Sequence, residues 1–365
     1  MNELDTARRS IDRIDTEMAR LFEERMKAGR EIAEYKKAHG LSVRDPAREA
    51  AVIEKNRRLI DDSDIESYYV RFLEETMALS RDYQSRLMNG MRVSYCGTEG
   101  AFAHIAAKRM FKGAELTAYP DFTSAYQAVE RGEADCAVLP LENSCEGEVG
   151  TVMDLIFQGS LYINQVIDLP VEHHLLGVPG ASLDSIKTIV SHPQALGQCA
   201  DYIHKHGYEA VSAANTAIAA RQVMESGDKT TAAIASIETA ELYGLEILDR
   251  DINDNRNNTT RFAAFSRSEN RPSAKVKRED ESFILVFTVQ NEAGALAQTL
   301  NIIGAHGYNM RSVRSRPMKD LQWNYYFYIE AEGNINNENG SDMLHELSAV
   351  CAKLKLAGTY YANNL

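Results

Sequence analysis

The stretch VSYCGTEGAFAHIAAKRMF, from Val93 to Phe111, is where the chain changes character. A short β-rich run, VSYC, passes through a glycine-flanked turn into the helical run FAHIAAKRMF. The alternation continues downstream through CAVLPLE (Cys136–Glu142) and TVMDLIF (Thr151–Phe157), which predicts an α/β domain with a mixed or parallel sheet. Before it, residues 1–89 carry a helical pattern with almost no Gly or Pro. After it, SRSENRPSAKVKREDE is charged, contains Pro272 and reads as a linker. Beyond that, SFILVFTVQ, ALAQTLNIIGAHG, YNMRSVRSR, YYFYIEAEG, DMLHELSAVCAKL and TYYANNL spell a small βαββαβ unit, an α+β ferredoxin-like module.

With 365 residues the chain is expected to hold two or three domains, and 44% hydrophobic residues suffice for globular cores. A formal charge of -13 argues against a nucleic-acid partner and requires any anionic ligand to be held by local arginines. No apolar run approaches a membrane span, and the opening MNELDTARRS lacks a signal-peptide core. The five cysteines are scattered without ligand spacing, as expected of a cytoplasmic protein with no metal.

In the helical segment, Leu4, Arg8, Ile11, Ile14, Met18, Leu21, Arg25, Ala28, Ile32 and Tyr35 follow a heptad seam ending near Gly40. Arginines on an apolar seam usually snorkel at its edge. Two of them, with Lys36 beyond, point instead to an anion pocket. Arg8 and Arg25 lie seventeen residues apart, roughly 26 Å along one helix. Both reach one small ligand only if one comes from a partner chain, which predicts an intertwined dimer. Asp45 and Pro46 mark the start of a second helix. A third, from about residue 65 to 86, puts Ser80 and Gln84 on or beside its apolar stripe, where polar groups need partners.

Residues 1–89 resemble the all-α three-helix chorismate mutase domain, whose polar site set falls on Arg8, Arg25, Lys36, Asp45, Arg48, Glu49, Ser80 and Gln84. The resemblance implies a pericyclic rearrangement of chorismate to prephenate. Lys36 and Gln84 would be the catalytic donors to the ether oxygen. Glu49, with the Asp45 backbone, would hold the ring hydroxyl; Arg25, Arg48 and Ser80 would serve the carboxylates, and Arg8 would come from the other subunit.

In the α/β segment, expected strands end in small polar residues before helices: Asn143-Ser144, Ser191-His192, Asn215-Thr216 and Ser236. One such residue is usually a cap; four in one domain outline a cleft for a small acidic ligand. The stretch NNTTRFAAFSR (Asn257–Arg267) adds a donor, Thr260, and a carboxylate partner, Arg261, at the start of a strand. Residues 91–267 resemble prephenate dehydratase, a two-lobed, periplasmic-binding-protein-like domain, through LPLENSCEG, SHPQALGQC, NTAIAA, AAIASIETAELYGLEIL and NTTRF. The resemblance implies loss of carbon dioxide and hydroxide from prephenate. Thr260 would assist the departing oxygen, and Arg261 would grip a carboxylate beside Phe262. Asn143, Ser144, Ser191, Gln198 and Thr216 would contact substrate, with Glu142 as a positioning group. Where that family usually has Gly-Thr-Phe-Ser, this chain reads Gly100-Ala101-Phe102-Ala103, two hydroxyls short.

Residues 282–365 resemble the ACT domain, with 268–281 as linker. Gly294, Ala295 and Leu296 would form one half of an effector site, and Arg314-Ser315-Arg316-Pro317 the other, where the family usually reads Glu-Ser-Arg-Pro. The combined resemblance is to the bifunctional chorismate mutase/prephenate dehydratase family, with L-phenylalanine as feedback effector, no cofactor, and a homodimer or higher homo-oligomer. Two rival readings remain: a mutase whose dehydratase is impaired at the altered loop, and a small-molecule or amino-acid sensor without catalysis. For the C-terminal module the rival reading is a role in dimerisation alone.

Overall fold

The computed structural model describes residues 3–269, 281–318 and 324–363. It divides into two compact units, Met1–Met91 and Arg92–Leu365. Most of the expected linker, residues 270–280, falls outside the described residues.

The first unit is three helices, α1 (Glu3–Ala38), α2 (Pro46–Arg57) and α3 (Ser63–Asn89). Asp45 caps α2 by accepting from the Arg48 amide, with Pro46 in the first turn. Helices α1 and α3 meet through Gly29, Ala33, Met77, Ser80 and Gln84, which are buried. The apolar seam of α1 is not this contact face: Leu4, Ile11, Ile14, Met18, Leu21, Ile32 and Tyr35 remain exposed.

The second unit begins with β1 (Arg92–Cys96), α4 (Phe102–Met110), β2 (Glu115–Tyr119), α5 (Phe122–Glu130), β3 (Cys136–Asn143), β4 (Gly147–Glu148), α6 (Gly150–Gln158) and β5 (Tyr162–Pro170). The chain then crosses into a second lobe: β6 (His174–Gly177), β7 (Thr188–Ser191), α7 (Pro193–Gln198), α8 (Ala200–His206), β8 (Glu209–Ser212), α9 (Thr216–Ser226), β9 (Thr231–Ala235), α10 (Ile237–Tyr243) and β10 (Glu246–Asp249). It returns through β11 (Thr259–Ser266), antiparallel between β3 and β5. The second lobe is a five-stranded sheet in the order β10-β6-β9-β7-β8, with apolar clusters on its two faces.

The C-terminal module is β12 (Glu281–Thr288), α11 (Ala295–Ala305), β13 (Asn309–Pro317), β14 (Tyr325–Glu332), α12 (Glu338–Val350) and β15 (Lys353–Asn363), the expected βαββαβ order. It does not stand apart. Strand β15 pairs in parallel with β5, so one sheet runs β13-β14-β12-β15-β5-β11-β3-β1-β2 through both parts. A shared core follows the sheet: Val152, Met153 and Ile156 pack in one cluster with Ile284, Val286, Tyr328 and Tyr360. Gly358 sits at the crossing with φ 156, where an added Cβ would lie 2.0 Å from the Ile163 carbonyl oxygen. Only glycine lets the two backbones approach there. Among the described residues, no helix is long and apolar enough to cross a membrane.

Candidate active sites

In the helical unit, the α1–α3 contact holds the innermost polar set. Arg25 donates to the Thr76 carbonyl at 3.2 Å, and burial lowers its pKa from the ordinary value. Ser80 and Gln84 are buried, with Gln84 Nε2 3.5 Å from Ser80 Oγ. Gln84 Oε1 is buried with no hydrogen-bond partner among the described residues, and a buried polar atom needs one. Gly29, which sequence reasoning passed over, makes room for this pair: its missing Cβ would lie 3.4 Å from Ser80 Oγ. Lys36 Nζ donates to the Val43 carbonyl at 2.6 Å, and Glu49 pairs with Arg81 at 2.9 Å. Arg8 and Arg48 are exposed.

In the second unit, a cleft of roughly 400 Å³ opens between the lobes. Ala101–Ala103, Pro140, Asn143, Thr260 and Phe262 line it from one side; His192, Gln194, Gln198, Asn215 and Thr216 line it from the other. Strand alternation decides who faces it. Thr260 lies opposite Asn143, and Phe262 opposite Pro140, all four on the cleft side. Asn143 Nδ2 donates to Thr260 Oγ1 at 2.9 Å, while Asn143 Oδ1 accepts from the Cys145 and Glu146 amides. Thr260 therefore acts as acceptor towards Asn143, leaving its own proton for the cleft.

The same alternation turns Arg261 and Glu142, which pair in register, to the opposite face of the sheet. The expectation that Arg261 grips a substrate carboxylate does not match this placement: its guanidinium bonds Glu142 at 2.9 Å and Glu330 at 2.8 and 2.9 Å. Two further expected contacts are also turned elsewhere. Ser191 is fully buried, its hydroxyl donating to the Ile234 carbonyl at 2.6 Å, and its neighbour His192 lines the cleft instead. Ser144 donates to the Asn257 carbonyl and accepts from the Thr259 amide, tying down the loop before β11.

His173, at the crossing between lobes, was not singled out by sequence. It is 2% exposed. Burial drives its pKa down to about 4 against the opposing bond to Gln198, so the ring is neutral at neutral pH. Nε2–H then donates to Gln198 Oε1 at 3.0 Å, and Nδ1 is buried without a partner among the described residues. Asn258 Nδ2 also donates to Gln198 Oε1, at 2.9 Å, leaving the Gln198 amide nitrogen for the cleft. The histidine pair His173-His174 at a strand start was the available signal. The altered loop is held by His104, whose Nδ1 accepts from the Gly100 amide at 3.2 Å. Ala101 occupies the N-cap of α4 without a side-chain cap.

In the C-terminal module, Gly294 takes a left-handed conformation (φ 89) at the exposed start of α11, before Ala295 and Leu296. Along β13, Ser315 and Pro317 face outward. Arg314 and Arg316 turn inward onto the β3–β4 hairpin, Arg314 pairing with Glu142 and Arg316 with Glu148 at 2.6 Å.

Comparison with known proteins matches three family models along the chain: chorismate mutase type II over residues 7–85, prephenate dehydratase over 93–270 and ACT domain over 283–342. A bifunctional chorismate mutase/prephenate dehydratase of Aquifex aeolicus is 32% identical over 99% of this chain and 98% of its own length. Two solved structures resemble the second unit. Prephenate dehydratase of Arthrobacter aurescens in complex with L-Phe has a TM-score of 0.67 at 29% identity, covering 74% of this chain and 90% of that one. A protein described as a novel type of quorum-quenching acylase, GqqA, has a TM-score of 0.68 at 32% identity, covering 75% and 98%. The chain belongs to the bifunctional chorismate mutase/prephenate dehydratase family.

Proposed function

We propose that the chain carries out two consecutive steps towards phenylalanine, converting chorismate to prephenate in the helical unit and prephenate to phenylpyruvate in the interlobe cleft. The observation that carries the second step is the Thr260 hydroxyl, facing the cleft and fixed as acceptor by Asn143.

In the first step no proton moves and no nucleophile is needed. The site must fold the enolpyruvyl arm over the ring and stabilise charge on the ether oxygen. Arg25, Arg48 and Ser80 bind the carboxylates, Glu49 and the Asp45 backbone hold the ring hydroxyl, and Lys36 and Gln84 donate to the ether oxygen. The group suited to that work is the buried Gln84 Nε2–H, which meets Ser80 Oγ only at 3.5 Å. The exposed apolar seam of α1 supports a homodimer in which a second chain covers it and brings its own Arg8 to the site.

In the second step the ring carboxylate leaves as carbon dioxide. Its bonding electrons enter the ring and expel the hydroxyl group. Aromatisation drives the reaction, so the protein mainly helps the oxygen depart. Threonine is a weak acid near neutral pH; Thr260 acts as a hydrogen-bond donor to that oxygen, with solvent completing the proton balance. Asn143, Gln198, Thr216 and Phe262 line the cleft for substrate. The likeness to a phenylalanine-bound dehydratase supports L-phenylalanine as effector of the C-terminal module, with Gly294–Leu296 at its site.

The test is to give the purified full-length protein chorismate and follow prephenate and phenylpyruvate by mass spectrometry. Both products, with phenylpyruvate falling on addition of phenylalanine, are expected. Prephenate alone would leave the mutase and indict the Ala101–Ala103 loop; no turnover would favour a sensor.

A further inference from the structure

Arg261 is the residue whose expected role and actual surroundings differ most. It stands next to Thr260 on β11, yet its side chain, 23% exposed, points to the far side of the sheet. There it meets the C-terminal module. Glu330 on β14, 2% exposed, takes the guanidinium with both oxygens, at 2.8 and 2.9 Å. Tyr360 on β15 donates to Glu330 and accepts from Arg261 at 3.1 Å. Asp168, beside Arg261 in register on β5, approaches at 3.4 Å. A second pair, Arg314 to Glu142, joins the module to the hairpin that carries Asn143.

A bidentate pair this deeply buried is geometrically demanding, and removing one partner strands the other's charge. Burial alone would raise the pKa of Glu330, but Arg261 and Tyr360 outweigh it and hold the carboxyl below its ordinary range. Burial likewise opposes charge on Arg261, and Glu330 more than restores it. Arg261 therefore stays where Glu330 is. Because Arg261 and Thr260 share a peptide bond in a paired strand, the far-side anchor fixes the near-side hydroxyl.

We propose that Glu330, assisted by Tyr360, is a positioning residue of the dehydratase: from the C-terminal module it locks Arg261 so that Thr260 and Asn143, on the opposite face, are presented to prephenate. This rests on the dehydratase reading above. It makes turnover in the cleft conditional on the module's seating, a direct mechanical link from a regulatory part to the reacting group.

The experiment uses the full-length chain, with mutase activity as internal control because its residues lie in the other unit. Glu330→Gln is expected to lower kcat on supplied prephenate by roughly 10- to 100-fold, the scale of an ångström-sized misplacement, while KM changes little. Glu330→Asp, which keeps the charge, recovers part of the loss, and Tyr360→Phe gives a smaller loss in the same direction. The decisive comparison is a cycle with Thr260→Val: if Glu330 acts through Thr260, Glu330→Gln costs much less in that background. Equal losses in both backgrounds, a change carried by KM alone, or no loss of kcat would overturn the proposal. Should Glu330→Gln fail to fold, Glu330→Asp and Tyr360→Phe run the same cycle. No prephenate turnover by the unaltered chain would instead fail the dehydratase reading itself.

Discussion

Acidification should weaken the second unit through His173 in particular. Buried beneath the crossing between lobes, the ring is neutral, with a pKa of about 4, while an unfolded chain takes up that proton near 6.5. As pH falls from 6.5 to 4 the unfolded state binds the proton first, so stability is lost across that window and is fully present above it. At about 1.36 kcal/mol per pH unit, the loss relative to pH 7.5 is about 2 kcal/mol at pH 5 and about 3 kcal/mol at pH 4. Other groups titrate too, so the measurement is a difference: urea unfolding of the unaltered chain and of His173→Gln, each at pH 7.5 and 5. Glutamine can still donate to Gln198 Oε1 but cannot be protonated. The variant should be less pH-sensitive by about 2 kcal/mol. Equal pH sensitivity in the two proteins would refute the account of a neutral, buried His173.

Three further outcomes are expected. Arg25→Ala should lower mutase activity by roughly 100-fold or more and leave dehydration of supplied prephenate intact; equal loss of both would sink the two-site description. Thr260→Val should do the reverse, lowering dehydratase kcat by roughly 100-fold with the mutase unchanged, and normal dehydration would remove Thr260 from the chemistry. Gly358→Ala forces a Cβ to 2.0 Å from the Ile163 oxygen, a cost upward of about 3 kcal/mol. It should unseat the module, read as faster proteolysis of residues 282–365 and slower dehydration while the mutase persists.

Much of this was legible in the sequence because local signals and tertiary structure agree. Asp45-Pro46 starts a helix wherever that helix ends up, and the βαββαβ order follows from alternation and turn residues. Thr260 was placed at the site by the resemblance that NTTRF carries, a motif read from the chain without its tertiary surroundings. Arg261 could not be read the same way. Its side of the strand depends on the register with β3, which slips at a bulge between Arg261 and Phe262, and its partners come from a module some seventy residues on. Ser191 shows the same limit: a hydroxyl at a strand end looks alike whether it faces a cleft or caps a buried carbonyl. His173 offered only a histidine pair at a strand start, since its neutral state comes from burial. The seam of α1 was legible as apolar, and the expected intertwined dimer already implied that a single chain leaves it uncovered, as it is.

The parallel pairing of β15 with β5 has a consequence for any shortened form of the protein. Strand β5 is flanked by β11 on one side and β15 on the other. Cutting away the module would turn an interior strand into an open edge carrying Ile163, Val166 and Ile167, with unpaired backbone groups able to recruit a like strand from another molecule. A trimmed dehydratase is therefore an invitation to self-assembly, and the module serves the rest of the chain as its guard against aggregation.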